Sequence, residues 1–173
     1  MGGAAAATNA LRAGQVDALS KGEPAMTMLE QRAEVRIVSD TRTLKGTEAL
    51  FGGPMPAACL YAPQEFIQKY PQACQALAFA TVHALKWLQT AGPRDIVKTV
   101  PEVYLLGDRA LYLASFEKLR ESISPDGMLT PDAARTALRA VSEFEPGLRP
   151  ERIDLVRTYT NEFARRAKSR FDA

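Results

Sequence analysis

The sequence predicts an α/β fold that is rich in helices and has few strands. Three short segments have the residue pattern of strands, namely Val16–Leu19, Glu34–Val38 and Pro56–Tyr61. Glu34–Val38 alternates polar and apolar residues, as a strand with one exposed face does. Pro56–Tyr61 is continuously apolar, which is typical of a strand covered on both faces. After residue 62, capping residues and apolar residues at helical spacing predict only helices.

The clearest predicted helix covers Gln72–Ala91, and Gly92-Pro93 ends it. Its apolar residues recur at steps of three and four positions, so they form one stripe along the helix. This stripe is the predicted buried face. It consists of Cys74, Leu77, Thr81, Leu85 and Leu88.

Later helices are predicted from their capping residues. Asp108 is the N-cap of a helix over Arg109–Ile123, and Thr130-Pro131 starts a helix that ends near Phe144. Three short strands cannot cover the apolar faces of so many helices, so we expect the chain to be part of a larger sheet protein. The last predicted helix has an apolar face of Val156, Tyr159, Phe163 and Ala167.

The composition excludes several classes of protein. The chain has 173 residues, of which 46% are hydrophobic and 24% are charged, as in soluble globular proteins. A net charge of +2 is too small to indicate a nucleic-acid-binding protein. No apolar run approaches the roughly 20 residues of a membrane span. The residues after Met1 lack the positive segment that begins a signal peptide.

The nucleophilic and metal-binding residue types are scarce. Cys59 and Cys74 are the only cysteines, and the sequence is compatible with two buried free thiols or with a disulfide. A metal site is not expected, because no further ligands lie near them. His83 is the only histidine, so a metal site of several histidines within the chain is excluded. On its predicted helix His83 lies off the main stripe, where a packed or surface role is expected, so we expect no enzymatic activity and no cofactor.

The segment Leu11–Gln31 carries the strongest functional signal. It predicts a helix, a glycine turn, a short strand and a second helix that begins with proline in its first turn. In an α/β fold the loop after a strand is where ligands usually bind. The signature consists of Gly14, Val16, Asp17 and Ala18, followed by Glu23 and Pro24.

This signature resembles the second lobe of periplasmic substrate-binding proteins of ABC importers. The closest group is the nitrate, sulfonate and taurine type, which also includes proteins resembling thiamine-precursor binders. The resemblance continues through residues 33–91 and extends more loosely to the C-terminal helix. Lys21-Gly22 departs from it, because the family usually has small or apolar residues there.

The resemblance implies a partial type II periplasmic-binding-protein fold that lacks the N-terminal part of the first lobe. Residues 1–53 would then belong to the second lobe and residues 54–173 to the first. A cluster of glycine and proline between the second and third predicted strands is typical of a hinge between such lobes. The cluster consists of Gly46, Gly52, Gly53, Pro54 and Pro56.

Three candidate ligand-binding residues belong to the signature loop. Glu23 could accept hydrogen bonds from a ligand, or it could complement the dipole of the helix that it begins. Ser20 could donate its hydroxyl to a ligand or cap the turn. Asp17 could contact a ligand, although the alternation of the strand favours a hydrogen bond to the protein backbone or to a neighbouring element of the lobe.

Three further candidates follow the second predicted strand. Thr41 and Arg42 could reach the mouth of the cleft, where Arg42 would pair with a sulfonate or carboxylate, although such residues also occur in simple turns. Met55 could cover a bound ring, and packing at the hinge is its alternative role.

The resemblance implies a solute-binding component of an ABC uptake system, in which a small polar or anionic molecule is bound between lobes and delivered to the permease. The full-length protein would be periplasmic. Two alternatives are an enzyme like those of thiamine-pyrimidine synthesis and the ligand-sensing domain of a regulator. No nucleic-acid partner is expected, and an open sheet edge would favour a homodimer.

Overall fold

The computed structural model describes residues 4–105 and 107–173. In these residues it contains α-helices and short 3-10 helices but no β-strand, so the predicted α/β fold, including the type II periplasmic-binding-protein fold, is wrong. The α-helices are α1 Ala4–Arg12, α2 Ala25–Gln31, α3 Leu44–Phe51, α4 Gln64–Lys69, α5 Pro71–Thr90, α6 Pro93–Thr99, α7 Arg109–Leu119, α8 Pro131–Phe144 and α9 Glu162–Phe171. The 3-10 helices are Glu102–Tyr104, Arg120–Ser122, Pro150–Arg152 and Leu155–Arg157.

The three predicted strands lie outside the helices as irregular segments. A strand is stabilised by backbone hydrogen bonds to a neighbouring strand, which its own sequence does not supply. Val35 and Ile37 are half-buried while the residues between and beside them are exposed, so the predicted alternation of exposure is present without a strand. By contrast, Ala57–Tyr61 is exposed throughout, although its composition predicted burial.

The chain divides into two compact units. The first joins the chain up to Val38 with Gly92–Leu119. Its described core contains Leu29, Ile96 and Leu105, which are at most 1% exposed. In this unit α2 packs on α7 and on α1, and Lys118 of α7 forms an ion pair with Glu30 of α2 at 2.5 Å.

The second unit contains Ser39–Ala91 and Arg120–Ala173, and its main contact is between α5 and α9. The side-chain amide of Gln75 donates to the carbonyl oxygen of Phe163 at 3.0 Å near the beginning of both helices. The rings of Phe79 and His83 contact the ring of Phe171 near the end of α9. The two helices therefore run in the same direction.

These contacts correct the predicted buried face of α5. The helix itself, Pro71–Thr90, confirms the predicted Gln72–Ala91 apart from one residue at each end. However, Leu77 is 54% exposed, whereas Ala78 and Val82 are buried. The face depends on which elements pack against the helix, and here Phe171 of α9 contacts Phe79, which is half-buried, and His83, which stays exposed.

The predicted face of the last helix is also corrected. Helix α9 begins at Glu162, so Val156 and Tyr159 lie before it, and Val156 is 82% exposed. Asn161 is the residue just before the helix. Its side chain donates to the carbonyl oxygen of Leu129 at 2.8 Å and accepts from the amide of Leu129 at 2.9 Å, which pins this end of α9.

The cysteines are both free thiols, as one alternative predicted. The prediction that both are buried is wrong for Cys59, which is exposed. Cys74 is half-buried on α5.

The turn that contains Asp126 is connected to α9 by an ion pair with Lys168. Lys168 donates to Asp126 at 2.7 Å, and the amide of Met128 donates to the other carboxylate oxygen at 3.0 Å. Burial raises the pKa of Asp126, but the hydrogen bonds from Lys168 and Met128 and the charge of Lys168 outweigh it, so the pKa lies below its ordinary value of 3.8.

We expect Asp126→Asn to destabilise the protein by about 0.5–1 kcal/mol at pH 7, because the ion pair with Lys168 is lost. A folded-state pKa below the unfolded value means that the carboxylate stabilises the fold fully above the unfolded pKa and less as the pH falls through the folded pKa. Urea unfolding at pH 7 and in steps below pH 4 measures the difference. A difference between wild type and variant that grows in acid would contradict this assignment; Asp132→Asn, at a more exposed pair, is the matched control.

Candidate ligand-binding loop

The loop between α1 and α2 has the order of elements that the sequence predicts, apart from the strand. Helix α1 ends in a Schellman motif: the amide of Gly14 donates to the carbonyl oxygen of Leu11 at 3.0 Å, and that of Gln15 to Ala10 at 2.9 Å. Gly14 has φ +66°, a left-handed conformation that glycine adopts at little cost. The predicted glycine turn is therefore confirmed.

Three polar side chains of this loop are exposed and have no partner among the described residues. Asp17, Ser20 and Lys21 are exposed, and none of them forms a hydrogen bond or an ion pair with another described residue. The protein-bound alternatives, a backbone hydrogen bond for Asp17 and a turn cap for Ser20, are therefore not realised in the described residues. Lys21 was not among the candidates, although its charge in a polar loop is visible in the sequence.

Glu23 has a structural role at the start of α2, which was the alternative to ligand binding. One of its carboxylate oxygens accepts from the amide of Thr27 at 3.0 Å and the other from the Thr27 hydroxyl at 2.8 Å. Thr27 is 0% exposed. The carboxylate thus satisfies a backbone N–H of the first helical turn and a buried hydroxyl. A role of Glu23 in ligand binding stays a prediction.

Thr41 and Arg42 lie in a turn that precedes α3, in the other unit. Arg42 donates to both carboxylate oxygens of Asp40, at 2.8 Å from Nε and 2.6 Å from Nη2. Its side chain is only 11% exposed, so an anionic ligand would have to compete with Asp40 for it. Thr41 is exposed, and its carbonyl oxygen accepts from the Thr47 hydroxyl at 3.1 Å.

Met55 follows α3 and is half-buried. It belongs to the same unit as Thr41 and Arg42, whereas Asp17, Ser20 and Glu23 belong to the first unit. Three of the six predicted residues therefore belong to each unit. Their contact with a ligand stays a prediction.

An open groove of about 400 Å³ in the second unit was not predicted. Arg152 and Arg157 contribute positive charge to it, and neither forms an ion pair with a described residue. The sequence feature that could have indicated this groove is the set of three arginines at positions 149, 152 and 157. The groove is lined by Gln64, Arg152, Ile153, Asp154, Arg157 and Thr158.

The remaining reactive side chains do not gather into a cluster. In the described residues, no three side chains of histidine, cysteine, aspartate or glutamate are placed to hold a metal ion. His83 stacks on the ring of Phe171, with ring centres 4.6 Å apart. None of the described helices combines the length and the apolar character needed to cross a bilayer, which confirms the prediction of no membrane-spanning helix for this part of the chain.

Comparison with known proteins gives a structural neighbour but no family. No family model matches the chain, and no curated protein matches it. A solved structure of a protein from Bordetella bronchiseptica RB50 is 48% identical in sequence and superimposes with a TM-score of 0.89. The match covers 95% of this chain and 52% of the Bordetella chain. This chain therefore spans about half the length of that neighbour.

Proposed function

We propose that this chain belongs to a solute-binding component of an ABC uptake system, which binds a small polar or anionic molecule and delivers it to a permease. The observation that supports this proposal is the loop between α1 and α2. It has the residues of the signature, and it presents the exposed side chains of Asp17, Ser20 and Lys21 without partners among the described residues.

The chemistry of these three groups favours a charged ligand. The ammonium group of Lys21 donates charge-assisted hydrogen bonds to an anion such as a sulfonate, carboxylate or nitrate. The hydroxyl of Ser20 can donate to the same group. The carboxylate of Asp17 accepts from an amine, so a zwitterion with an amino group and an acidic group would use all three side chains.

The Bordetella neighbour contains this arrangement of helices within a chain about twice as long, so the arrangement occurs as part of a larger protein. Solute-binding components surround their ligand with parts of the chain that are distant in sequence. The proposal includes a periplasmic location, since such components meet their permease outside the cytoplasmic membrane.

An uptake assay in the source organism tests the proposal. Deleting the gene should abolish or strongly reduce the uptake of one solute among labelled taurine, an alkanesulfonate, nitrate and a thiamine-precursor pyrimidine. Restoring the gene with Lys21→Ala should leave an apparent affinity about ten- to a hundredfold weaker than wild type, the range expected for a lost hydrogen bond to a charged group.

The matched control is Lys45→Ala, since Lys45 is also exposed and forms no ion pair with a described residue. This variant should restore uptake fully. Unchanged uptake of all four solutes after the deletion would contradict the proposed function. Equal uptake by the Lys21 and Lys45 variants would show that the loop does not bind the solute.

A further inference from the structure

The segment Pro56–Tyr61 is an apolar stretch without backbone partners. No backbone–backbone hydrogen bond in the described part of the chain involves residues 54–62. Ala57–Tyr61 is exposed throughout, with Leu60 63% and Tyr61 93% exposed. A run of five exposed residues, none of them charged, is therefore open to solvent along both its backbone and its side chains.

Its residue pattern is that of a strand covered on both faces. In an extended conformation Ala58 and Leu60 point to one side, and Ala57, Cys59 and Tyr61 to the other. Both faces are then apolar, as in strands that are buried within a protein. An open segment of this kind pairs readily with another strand, because each unpaired N–H and C=O group gains a partner.

The comparison shows that this arrangement occurs within a longer polypeptide. The Bordetella chain shares 48% identity and the same arrangement over 95% of this chain, yet this chain accounts for only 52% of it. Nearly half of that polypeptide lies outside the match. In a chain of the Bordetella length, the remaining polypeptide has a high effective concentration next to the corresponding segment, which favours it as a partner over a second copy of the chain.

We propose that Pro56–Tyr61 is a docking segment that pairs, as a β-strand, with a polypeptide corresponding to the unmatched part of the Bordetella protein. The main chain gives hydrogen bonds to the partner strand, and Leu60 and Tyr61 enter apolar pockets on it. This inference does not depend on the proposed solute-binding function, because it concerns assembly and not ligand chemistry.

Co-expression of this chain with that unmatched polypeptide tests the docking segment. We expect the two to purify as a one-to-one complex in which the amides of residues 57–61 exchange hydrogen more slowly than in the isolated chain. Leu60→Asp should weaken the complex by at least about tenfold, because it places a charge in an apolar contact. Val156→Asp, at a still more exposed valine of the same unit, should leave the affinity unchanged.

Adjacent proline variants test the backbone pairing. Successive N–H groups of a strand point to opposite edges, so pairing along one edge predicts that only one of Ala57→Pro and Ala58→Pro weakens the complex. Neither N–H is bonded to the backbone of a described residue. Both variants, measured as the isolated chain, should therefore have the same free energy of unfolding as wild type.

Four outcomes would overturn the inference. These are the absence of a complex, a complex without protection of residues 57–61, protection by a homodimer of this chain alone, and a complex that tolerates both proline variants. The first two contradict docking at this segment, the third contradicts the choice of partner, and the fourth contradicts backbone pairing.

Discussion

Gly46→Ala should destabilise the second unit by about 2–4 kcal/mol, because the new methyl group has no room and the N-cap of α3 is lost with it. A Cβ on Gly46 would lie 1.7 Å from the carbonyl oxygen of Asp40 and 3.0 Å from the Thr43 hydroxyl oxygen. That hydroxyl accepts from the Gly46 amide at 3.0 Å and caps the helix. Glycine to alanine in a helix usually stabilises by up to about 1 kcal/mol, so the expected sign is reversed.

Denaturant unfolding followed by the fluorescence of Trp87, the only tryptophan, measures the effect in the unit that contains Gly46. Gly147→Ala is the matched control, since a Cβ there meets no atom within 4 Å. We expect its free energy of unfolding to stay within about 0.5 kcal/mol of wild type. An equally small effect of Gly46→Ala would mean that the turn at Asp40 relaxes freely around the methyl group.

The same substitution has a consequence for the candidate residue Arg42. The carboxylate that holds its guanidinium belongs to Asp40, whose carbonyl oxygen must move away from the new methyl group. The backbone shift would therefore loosen the ion pair between Arg42 and Asp40. The position of Arg42, the predicted partner of an anion, therefore depends on the turn at Asp40.

Helices with polar caps are predictable from sequence, because their information is local. Asp108 accepts from the amide of Leu111 at 2.9 Å, and Thr130 accepts from the amide of Ala133 at 3.2 Å, as their positions predict. Strands are different, because a strand exists only where a second strand offers hydrogen bonds. The apolar composition of Pro56–Tyr61 is suited to a buried strand, but it does not show whether a second strand is present to pair with it.

The buried face of a helix has the same limitation. Apolar spacing on α5 favours Leu77 as a buried residue, yet Leu77 is 54% exposed and the buried residues are Ala78 and Val82. Which face is buried depends on the elements that pack against the helix, and the spacing of its apolar residues does not specify them.

The candidate loop shows how far a motif predicts a site. The left-handed glycine and the second helix follow from short-range rules, and both are present in the structure. The roles of individual side chains depend on atoms that the motif does not fix. Glu23 accepts hydrogen bonds from Thr27, in the first turn of the helix that follows it, whereas Ser20 has no described partner, and the sequence alone left both roles open.

Leu29→Ala should destabilise the first unit by about 2–5 kcal/mol, the range measured for large-to-small substitutions in a core. Leu29 is 0% exposed and lies on α2, which packs on both α7 and α1. Its removal leaves a cavity that a helix held from two sides cannot close. Domains are stable by only about 5–15 kcal/mol, so this loss is a large fraction of the total.

Hydrogen exchange in α2 and α7, together with thermal unfolding followed by circular dichroism, measures the loss. Leu50→Ala on α3 is the matched control, because Leu50 is 52% exposed and should cost less than about 0.5 kcal/mol. The expected loss also reaches the candidate loop. The carboxylate of Glu23 is held by the neighbouring buried Thr27, so the end of the loop loosens when α2 loses its anchor. If Leu29→Ala unfolds at the wild-type midpoint, α2 is held by its ends and not by its buried face.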